Sequence, residues 1–343
     1  MESKNIVIIG GGVAGLIAAQ HLEQSGLQPT IIEATDRIGG RVKTDVVDGF
    51  RLDHGFQVLL TDYREAQRYL DYEDLALRYF RPGAVVMNKG KALPIVDPLR
   101  EPTQLFQAAL SPVGTLKDKF LTWRLQQQLK RKEVDELFTE ANQQSSIAFL
   151  QTYGFSERFI QNFFRPFFGG IFLENQLQTP AAMLQFVFKM FAQGHAALPA
   201  KGMESIPQQL ASQLKATNII RNNRVQQIEN NRVKLDDSTI MPYTHLIVAT
   251  SPGRLLPQLA GEELRFHETT TMYFSAHESV LPKGLIALVN EEQCIVNNFC
   301  EPSTVSEEYV PAQKHLVSVT LKDIPTQQNI EEQVICHSGL LVN

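Results

Sequence analysis

The sequence predicts an α/β protein in which a parallel-sheet domain, assembled from two separated stretches of chain, is interleaved with a mixed α+β domain. Three observations carry that expectation. The apolar run Ile6-Val7-Ile8-Ile9 leads directly into Gly10-Gly11-Gly12-Val13-Ala14-Gly15. An acidic residue, Glu33, closes the next apolar run. A long stretch without any comparable glycine turn follows, with a largely helical period, before strand-like runs return.

Taken in order, Ile6 to Ile9 read as a strand buried on both faces. Gly10 permits a tight turn and Gly12 lets the backbone approach an anion. Gly15, one helical turn before Ala19, lets a helix lie close on the strand. That helix runs from about Val13 to Ser25 and stops at Gly26, a suitable left-handed cap. Its first amides, those of Val13 and Ala14 included, lack partners within the helix and, with the positive end of the dipole, attract negative charge. Gln28 to Ile32 is a second strand. Glu33, with Ala34 behind it, ends that strand where a carboxylate accepts hydrogen bonds from ribose hydroxyls. A glycine triplet alone is as readily an ordinary loop. With Glu33 in register, the succession of strand, turn, helix, strand and acid describes a Rossmann-like dinucleotide site.

A glutamate there suits a free 2′-hydroxyl, which excludes NADP better than it separates NAD from FAD. The separation comes from Arg37-Ile38-Gly39-Gly40-Arg41-Val42-Lys43-Thr44. A paired glycine bracketed by Arg37 and Arg41 turns the chain back towards a diphosphate and adds positive charge beside it. A simple NAD domain does not need that element.

At this point the chain resembles the FAD-dependent amine oxidoreductase superfamily, which spans flavin amine oxidases, protoporphyrinogen oxidases and phytoene-type carotenoid desaturases. The likeness is carried by Ile6 to Thr44, by Leu52-Asp53-His54-Gly55-Phe56-Gln57, by Ala197 to Met203, and by Arg224-Val225 with His245 to Thr250. The resemblance implies FAD as the cofactor, with the loop His54-Gly55-Phe56 beside the flavin ring and the backbone of Val225 pairing with the adenine. Read from the residues alone, His54 is equally a loop histidine satisfied by local backbone, and Val225 is a β-branched strand residue. Family members usually end in a second flavin-binding segment, a Gly-Asp pair before a glycine-rich helix start. This chain runs out through His337 to Asn343 without one, so the expectation is weak or absent flavin retention.

Beyond the glycine-rich unit, Phe50 to Asp53 reads as a short strand and Thr61 to Leu70 contains a helix. Ala84 to Met87 and Lys91 to Ile95 suggest a hairpin about Asn88-Lys89-Gly90, and Pro94, Pro98 and Pro102 punctuate a loop. From Thr103 to Gln193 the pattern is helical, with breaks expected near Ser111-Pro112, Gly154 and Gly169-Gly170. Pro199 to Gln213 returns through a helix to a strand at Asn218 to Ile220. Arg224 to Ile228, Arg232 to Leu235 and Ser238 to Met241 form a meander, closed by a buried strand at Leu246 to Ala249. Strands near Thr270 to Phe274, Gly284 to Val289 and Leu316 to Leu321 complete a second sheet, and Ile330 to Ile335 is helical. The expected division is a cofactor domain of residues 1–82 and 199–258, a substrate domain of residues 83–198 and 259–323, and a helix and tail at 324–343.

A formal net charge of −5 gives no electrostatic case for nucleic acid. Cys294, Cys300 and Cys336 fit no metal framework, and buried free thiols in a cytoplasmic setting are expected. Twelve of the twenty phenylalanines lie between Phe138 and Phe191. Most of them fill a helical core; the remainder point to an apolar small-molecule substrate. Trp123 with Lys130-Arg131-Lys132 suggests a helix at an anionic membrane, although such runs are more often a solvated face. A flavin carries hydride chemistry itself, so no catalytic group is assigned; Lys201, Tyr273 and His54 are the polar residues nearest in character. The function expected is an FAD-dependent oxidoreductase that passes a hydride from an apolar amine or polyene to the flavin. The alternative is a shortened relative that only binds a dinucleotide or a protein.

Overall fold

The computed structural model describes residues 4–88, 91–96, 113–139, 143–251, 253, 255–256, 267–289, 294–322, 330–331 and 334. The expectations at Pro98, Pro102, Ser111-Pro112, Cys336 and the C-terminal tail lie outside these. Of the expected terminal helix, Ile330, Glu331 and Val334 are described, and all three are helical. The chain divides into one unit of Met1–Asp45, Gln67–Ala76 and Lys201–Phe266, and a second of Val46–Ala66, Leu77–Ala200 and His267–Asn343.

In the first unit β1 (Ile6–Ile9), α1 (Val13–Gln24) and β2 (Thr30–Ile32) follow one another. A four-stranded parallel sheet runs Asn218–Ile220, β2, β1, His245–Val248, with Ile8 opposite both Ile31 and Ile247. All four residues of β1 are buried, as a central parallel strand covered on both faces requires. A Cβ on Gly15 would lie 2.0 Å from the carbonyl oxygen of Gly10, so only glycine lets α1 settle this close to the turn. The helix closes as expected: the amide of Gly26 donates to Glu23 O at 2.9 Å and that of Leu27 to Leu22 O at 3.0 Å. The strands Val225–Glu229, Arg232–Leu235 and Ile240–Pro242 form an antiparallel meander whose Val225, Val233 and Leu235 pack with Val7, Ile9 and Ile32. The strand expected to close that meander instead takes the edge of the parallel sheet beside β1, where it is only partly buried.

The second unit is built on a six-stranded sheet in the order Thr271–Ala276, His315–Leu321, Val296–Cys300, Ile286–Val289, Gly83–Asn88, Lys91–Val96. Every pairing is antiparallel except Ile286–Val289 with Gly83–Asn88. One face carries Met272, Phe274, Val317, Val319, Phe299, Ala287 and Val289 into an apolar core. On the other face Ala84, Val86 and Leu288 join the helical part of the unit. The strand Val296–Cys300 went unread in the sequence because two asparagines, Asn297 and Asn298, interrupt its apolar run, and yet all five of its residues are buried.

That helical part comprises Leu116–Lys130, Ser146–Tyr153, the nearly continuous run Glu157–Phe172 with a π-helical turn at Ile160–Phe164, and Ala181–Gln193. Gly154 ends one helix as expected, in the left-handed conformation. The break expected near Gly169-Gly170 comes two residues later: both glycines lie inside the helix Arg165–Phe172, which ends with Leu173 in the left-handed conformation. They serve contact there: a Cβ on Gly170 would lie 2.5 Å from Asn297 Oδ1. Phe155, Phe159, Phe164, Phe168 and Phe188 are buried together, with Phe155 edge-on to Phe164 at 4.8 Å and Phe163 stacked on Phe167 at 5.5 Å. Such pairs add about 0.5–1.5 kcal/mol each beyond their area. Among the described residues no helix is long and apolar enough to cross a membrane.

Residues 46–66 and 77–82, expected within the cofactor domain, group by contact with the second unit. Two ties hold them there. Leu59–Leu60 and Arg78–Tyr79 both pair with Ala196–Leu198, and Asp53 is hydrogen-bonded to Tyr273 and Tyr309.

Candidate functional site

The opening turn of the first unit is organised around Glu33. Gly10 has φ +105°, which a side chain would strain, and its amide donates to Ile32 O at 2.9 Å. The amide of Gly11 then donates to Oε2 of Glu33 at 2.8 Å. The other carboxylate oxygen accepts from the amide of Thr35 at 2.9 Å and from its hydroxyl at 2.8 Å. Glu33 is thus buried, held from both sides, and oriented at the turn. Gly12 precedes α1 as its N-cap and no side chain caps that helix. The first amides, those of Val13 and Ala14 among them, are left for an anion.

The second glycine element packs directly on the first. Gly39 donates to Gly11 O at 2.9 Å and bridges Gly12 in parallel register. Gly40 (φ +61°) is so close that a Cβ on it would lie 3.3 Å from Gly12 Cα. A Cβ on Gly12 would lie 3.8 Å from Gly40 Cα and 4.0 Å from Gly39 O, in ordinary van der Waals contact with the second glycine element. Two glycine segments in backbone contact, an uncapped helix start and a tethered carboxylate fit the diphosphate and ribose of an adenine dinucleotide. Ala34 follows Glu33 in a bend, and Arg41 stands exposed after Gly40.

Arg37 does not extend the positive charge of this cradle. Its guanidinium bonds Asp45, Oε2 of Glu204 at 3.0 Å and the carbonyl of Thr44 at 3.0 Å. The bond to Asp45, with the Glu204 charge beside it, pushes its pKa above the ordinary arginine value. Glu204 also accepts from the amide of Thr44 at 3.0 Å and returns its own amide to Thr44 Oγ1 at 3.0 Å. Sequence reading missed Glu204; its only signal is an acid placed just after Gly202-Met203. Lys201, one of the polar residues singled out earlier, is exposed.

Beyond the end of β2, the amides of Asn222 and Asn223 donate to Thr35 O at 2.9 Å and Glu33 O at 3.1 Å. Val225 is buried in the meander's core. Asn223 Oδ1 is buried and has no hydrogen-bond partner among the described residues, while its Nδ2 donates to Asp237 at 2.8 Å.

In the second unit, Asp53 anchors the loop His54-Gly55-Phe56-Gln57. The hydroxyl of Tyr309 donates to Asp53 Oδ2 at 2.7 Å and that of Tyr273 to Asp53 O at 2.8 Å. Burial first, and the Asp53 charge second, push both phenols well above the ordinary tyrosine value. Tyr273 therefore stays protonated and acts as a donor, not as a base. Gly55 (φ +89°) faces Thr271, whose Oγ1 is 3.9 Å from the place of a Cβ there. His54 is exposed, and Phe56 meets Phe80 edge-on at 6.1 Å. Across the sheet Thr271, Thr320 and Asn298 form one row of register partners, with Tyr273, Ser318 and Cys300 in the next. Thr271 Oγ1, Thr320 Oγ1 and Asn298 Oδ1 are buried and have no partner among the described residues. Cys300 is fully buried, and burial together with the Glu301 and Asp53 charges raises its thiol well above the ordinary value, so it is inert.

Comparison with known proteins supplies a family. The model described as flavin containing amine oxidoreductase matches residues 13–317. Protoporphyrinogen oxidase 2 of Arabidopsis thaliana is 27% identical over 170 residues, 50% of this chain and 33% of that protein. An L-amino-acid oxidase of Crotalus adamanteus is 40% identical over 77 residues, 22% of this chain and 15% of the relative. The matches thus span a third or less of the length of these relatives. Among solved structures, a putrescine oxidase bound to putrescine superposes with a TM-score of 0.69 at 16% identity, covering 99% of this chain and 82% of that one. An oxidoreductase of Methanosarcina mazei gives 0.69 at 18% identity, covering 97% and 82%. At such identity these superpositions establish the fold.

Proposed function

The chain belongs to the flavin containing amine oxidoreductases, and from that premise we propose that it is an FAD-dependent oxidoreductase whose substrate carries an amine on an otherwise apolar body. The observation that carries this reading is the 2.8 Å bond from the Gly11 amide to Glu33, set beside the uncapped start of α1 at Gly12 and the close packing of Gly40 on it. In it, the amides of Gly12, Val13 and Ala14 hold the diphosphate, with Gly15 keeping the helix close beneath them. Glu33 receives the ribose hydroxyls, and Arg41 adds charge at the rim. The backbone of Val225 and the unpartnered Asn223 Oδ1 serve the adenine.

FAD, when bound, supplies an acceptor for a hydride leaving a substrate carbon. The chain's own contribution is position and a proton-stable surround. Asp53 and Tyr273 fix the loop of His54, Gly55 and Phe56, and both tyrosines remain neutral at physiological pH.

The amine half of the proposal is supported by the row Thr271, Thr320 and Asn298. Its unpartnered atoms are all oxygens. Buried oxygens suit a ligand rich in N–H donors better than a hydrocarbon, because each gains a hydrogen bond that is otherwise missing. The relatives that act on amino acids or putrescine, by their names, agree with this choice. The test is reconstitution of purified protein with FAD, followed by anaerobic addition of primary amines and polyenes. Bleaching of the visible flavin band by amines supports the reading. Bound flavin that only polyenes bleach redirects the substrate class, and failure to take up FAD at all rejects it.

A further inference from the structure

The helix Leu116–Lys130 in the second unit presents an outer face that nothing in the proposed redox function uses. Its inner face is settled: Leu121, Leu125 and Leu129 are buried with the phenylalanine core. Both ends are pinned. Asp118 accepts from the amide and hydroxyl of Thr115 at 2.8 and 2.7 Å, and from the amide and hydroxyl of Ser156, both at 2.7 Å. Lys189, itself buried, donates to Leu129 O at 3.0 Å at the helix's C-terminal end.

The outer face combines two features that seldom coincide on a merely solvated helix. Leu116, Phe120 and Trp123 recur at helical spacing and are 74%, 56% and 46% exposed. The rings of Phe120 and Trp123 lie 5.8 Å apart, forming one patch. Exposed Lys117 and Arg124 flank that stripe, and exposed Lys130, Arg131 and Lys132 continue it. The helix's single acid, Asp118, is turned inward, so the outer face carries positive charge alone. Glu133, Asp135 and Glu136 come only after the helix has ended.

We propose that this face docks on an anionic lipid surface, with Leu116, Phe120 and Trp123 entering the headgroup boundary and the flanking Lys and Arg meeting lipid phosphates. A helix lying in the interface needs an apolar stripe edged by cations, with aromatic rings at the boundary. The patch offers on the order of 300 Å² of apolar side chain, well short of the roughly 800 Å² per partner of a standard protein interface. That size argues against a second copy of the chain as the occupant. Shallow insertion is also what the fold permits, since the buried face stays in its core and no described helix is suited to spanning.

The chain has a single tryptophan, and it lies in the stripe, so the protein reports its own docking. Purified protein is mixed with vesicles of phosphatidylcholine alone, or with a third of the lipid replaced by phosphatidylglycerol. Trp123 emission should move to the blue with the anionic vesicles only, be quenched by bromine on the lipid chains, and accompany co-sedimentation. At 1 M salt, where charges are screened beyond about 3 Å, sedimentation should fall at least tenfold. Leu116→Ser with Phe120→Ser should weaken partition by roughly tenfold with an unchanged circular dichroism spectrum. The charge reversals Lys117→Glu with Arg124→Glu should abolish it while leaving the stripe in place. Emission unmoved by anionic vesicles, equal partition onto neutral ones, or a concentration-dependent dimer that buries Trp123 overturns the proposal. None of these readouts involves flavin or turnover, so the result stands apart from the redox assignment.

Discussion

The amide of Gly11 and the carboxylate of Glu33, 22 residues apart in sequence, meet at 2.8 Å and bind the glycine turn to the end of the second strand. One residue thereby shapes the turn, and in the proposed complex its remaining lone pairs would face the ribose. Replacing Glu33 with Ala should weaken FAD binding by about 10- to 100-fold, the loss expected for hydrogen bonds to a charged group. Titration of the protein with FAD, read by quenching of flavin fluorescence, checks this. Glu33→Gln, which keeps the shape, should retain the fold and still lose affinity. Unchanged affinity in both variants would remove Glu33 from the site.

Gly15 is tested by steric contact. Gly15→Ala places a methyl 2.0 Å from Gly10 O, and relief requires α1 to shift away from the turn. The expected cost is about 1–3 kcal/mol of stability, with loss of FAD binding. Thermal unfolding and the same titration measure both. Gly26→Ala is a contrasting case: nothing lies within 4 Å of its Cβ position, but its φ of +75° strains any side chain, so it should cost about 1 kcal/mol of stability and leave FAD binding unchanged.

Tyr309 and Tyr273 make different demands on Asp53. Tyr309→Phe removes a donor from a buried carboxylate and should cost about 1–3 kcal/mol, whereas Tyr273→Phe loses one bond to a carbonyl and should cost about 1 kcal/mol. Both phenols are raised above the ordinary value, so above about pH 10 the unfolded chain releases their protons first. Stability should therefore decline as pH rises through that range, and less steeply in either Phe variant. Denaturant midpoints measured across alkaline pH provide the test.

Asp118 governs the opposite limb. Burial alone would raise its carboxyl, but the donors on Ser156 and Thr115 prevail and hold it below the ordinary aspartate value. The folded state thus binds the proton more weakly than the unfolded one. The stabilisation is complete above about pH 4 and is lost as pH falls through the folded value. Asp118→Asn should flatten the acid limb of the stability profile and leave the alkaline limb as it was.

Thr320 separates a structural hydroxyl from a recognition hydroxyl. Since its Oγ1 has no partner among the described residues, Thr320→Val should be neutral or slightly stabilising. If the row receives the amine, the same variant should raise KM about tenfold at nearly constant kcat. A fall in kcat with KM unchanged would place Thr320 elsewhere in the reaction.

How much was legible follows from how local each constraint is. The strand, glycine turn, helix, strand and acid from Ile6 to Glu33 could be read because each residue's role is set by its own backbone or by neighbours along the helix and strand. The hairpin of Gly83–Asn88 with Lys91–Val96 was legible for the same reason. Val296–Cys300 was not, because its asparagines are buried only once strands from other parts of the chain enclose them. The Gly169-Gly170 pair reads as a helix break until Asn297 is seen pressed against it.

By itself, then, the sequence determined the α/β class and the glycine turn between strand and helix, since backbone freedom at glycine and the periods of strand and helix are written in adjacent residues. Tertiary structure alone decided that Arg37 serves Asp45 and Glu204, that Asp53 joins Tyr273 and Tyr309, and that Thr271, Thr320 and Asn298 share one row. Apart from Arg37 with Asp45, those relationships join residues remote in sequence. A side chain's charge or hydroxyl has no assigned partner until folding brings one within hydrogen-bond reach and removes the competing water.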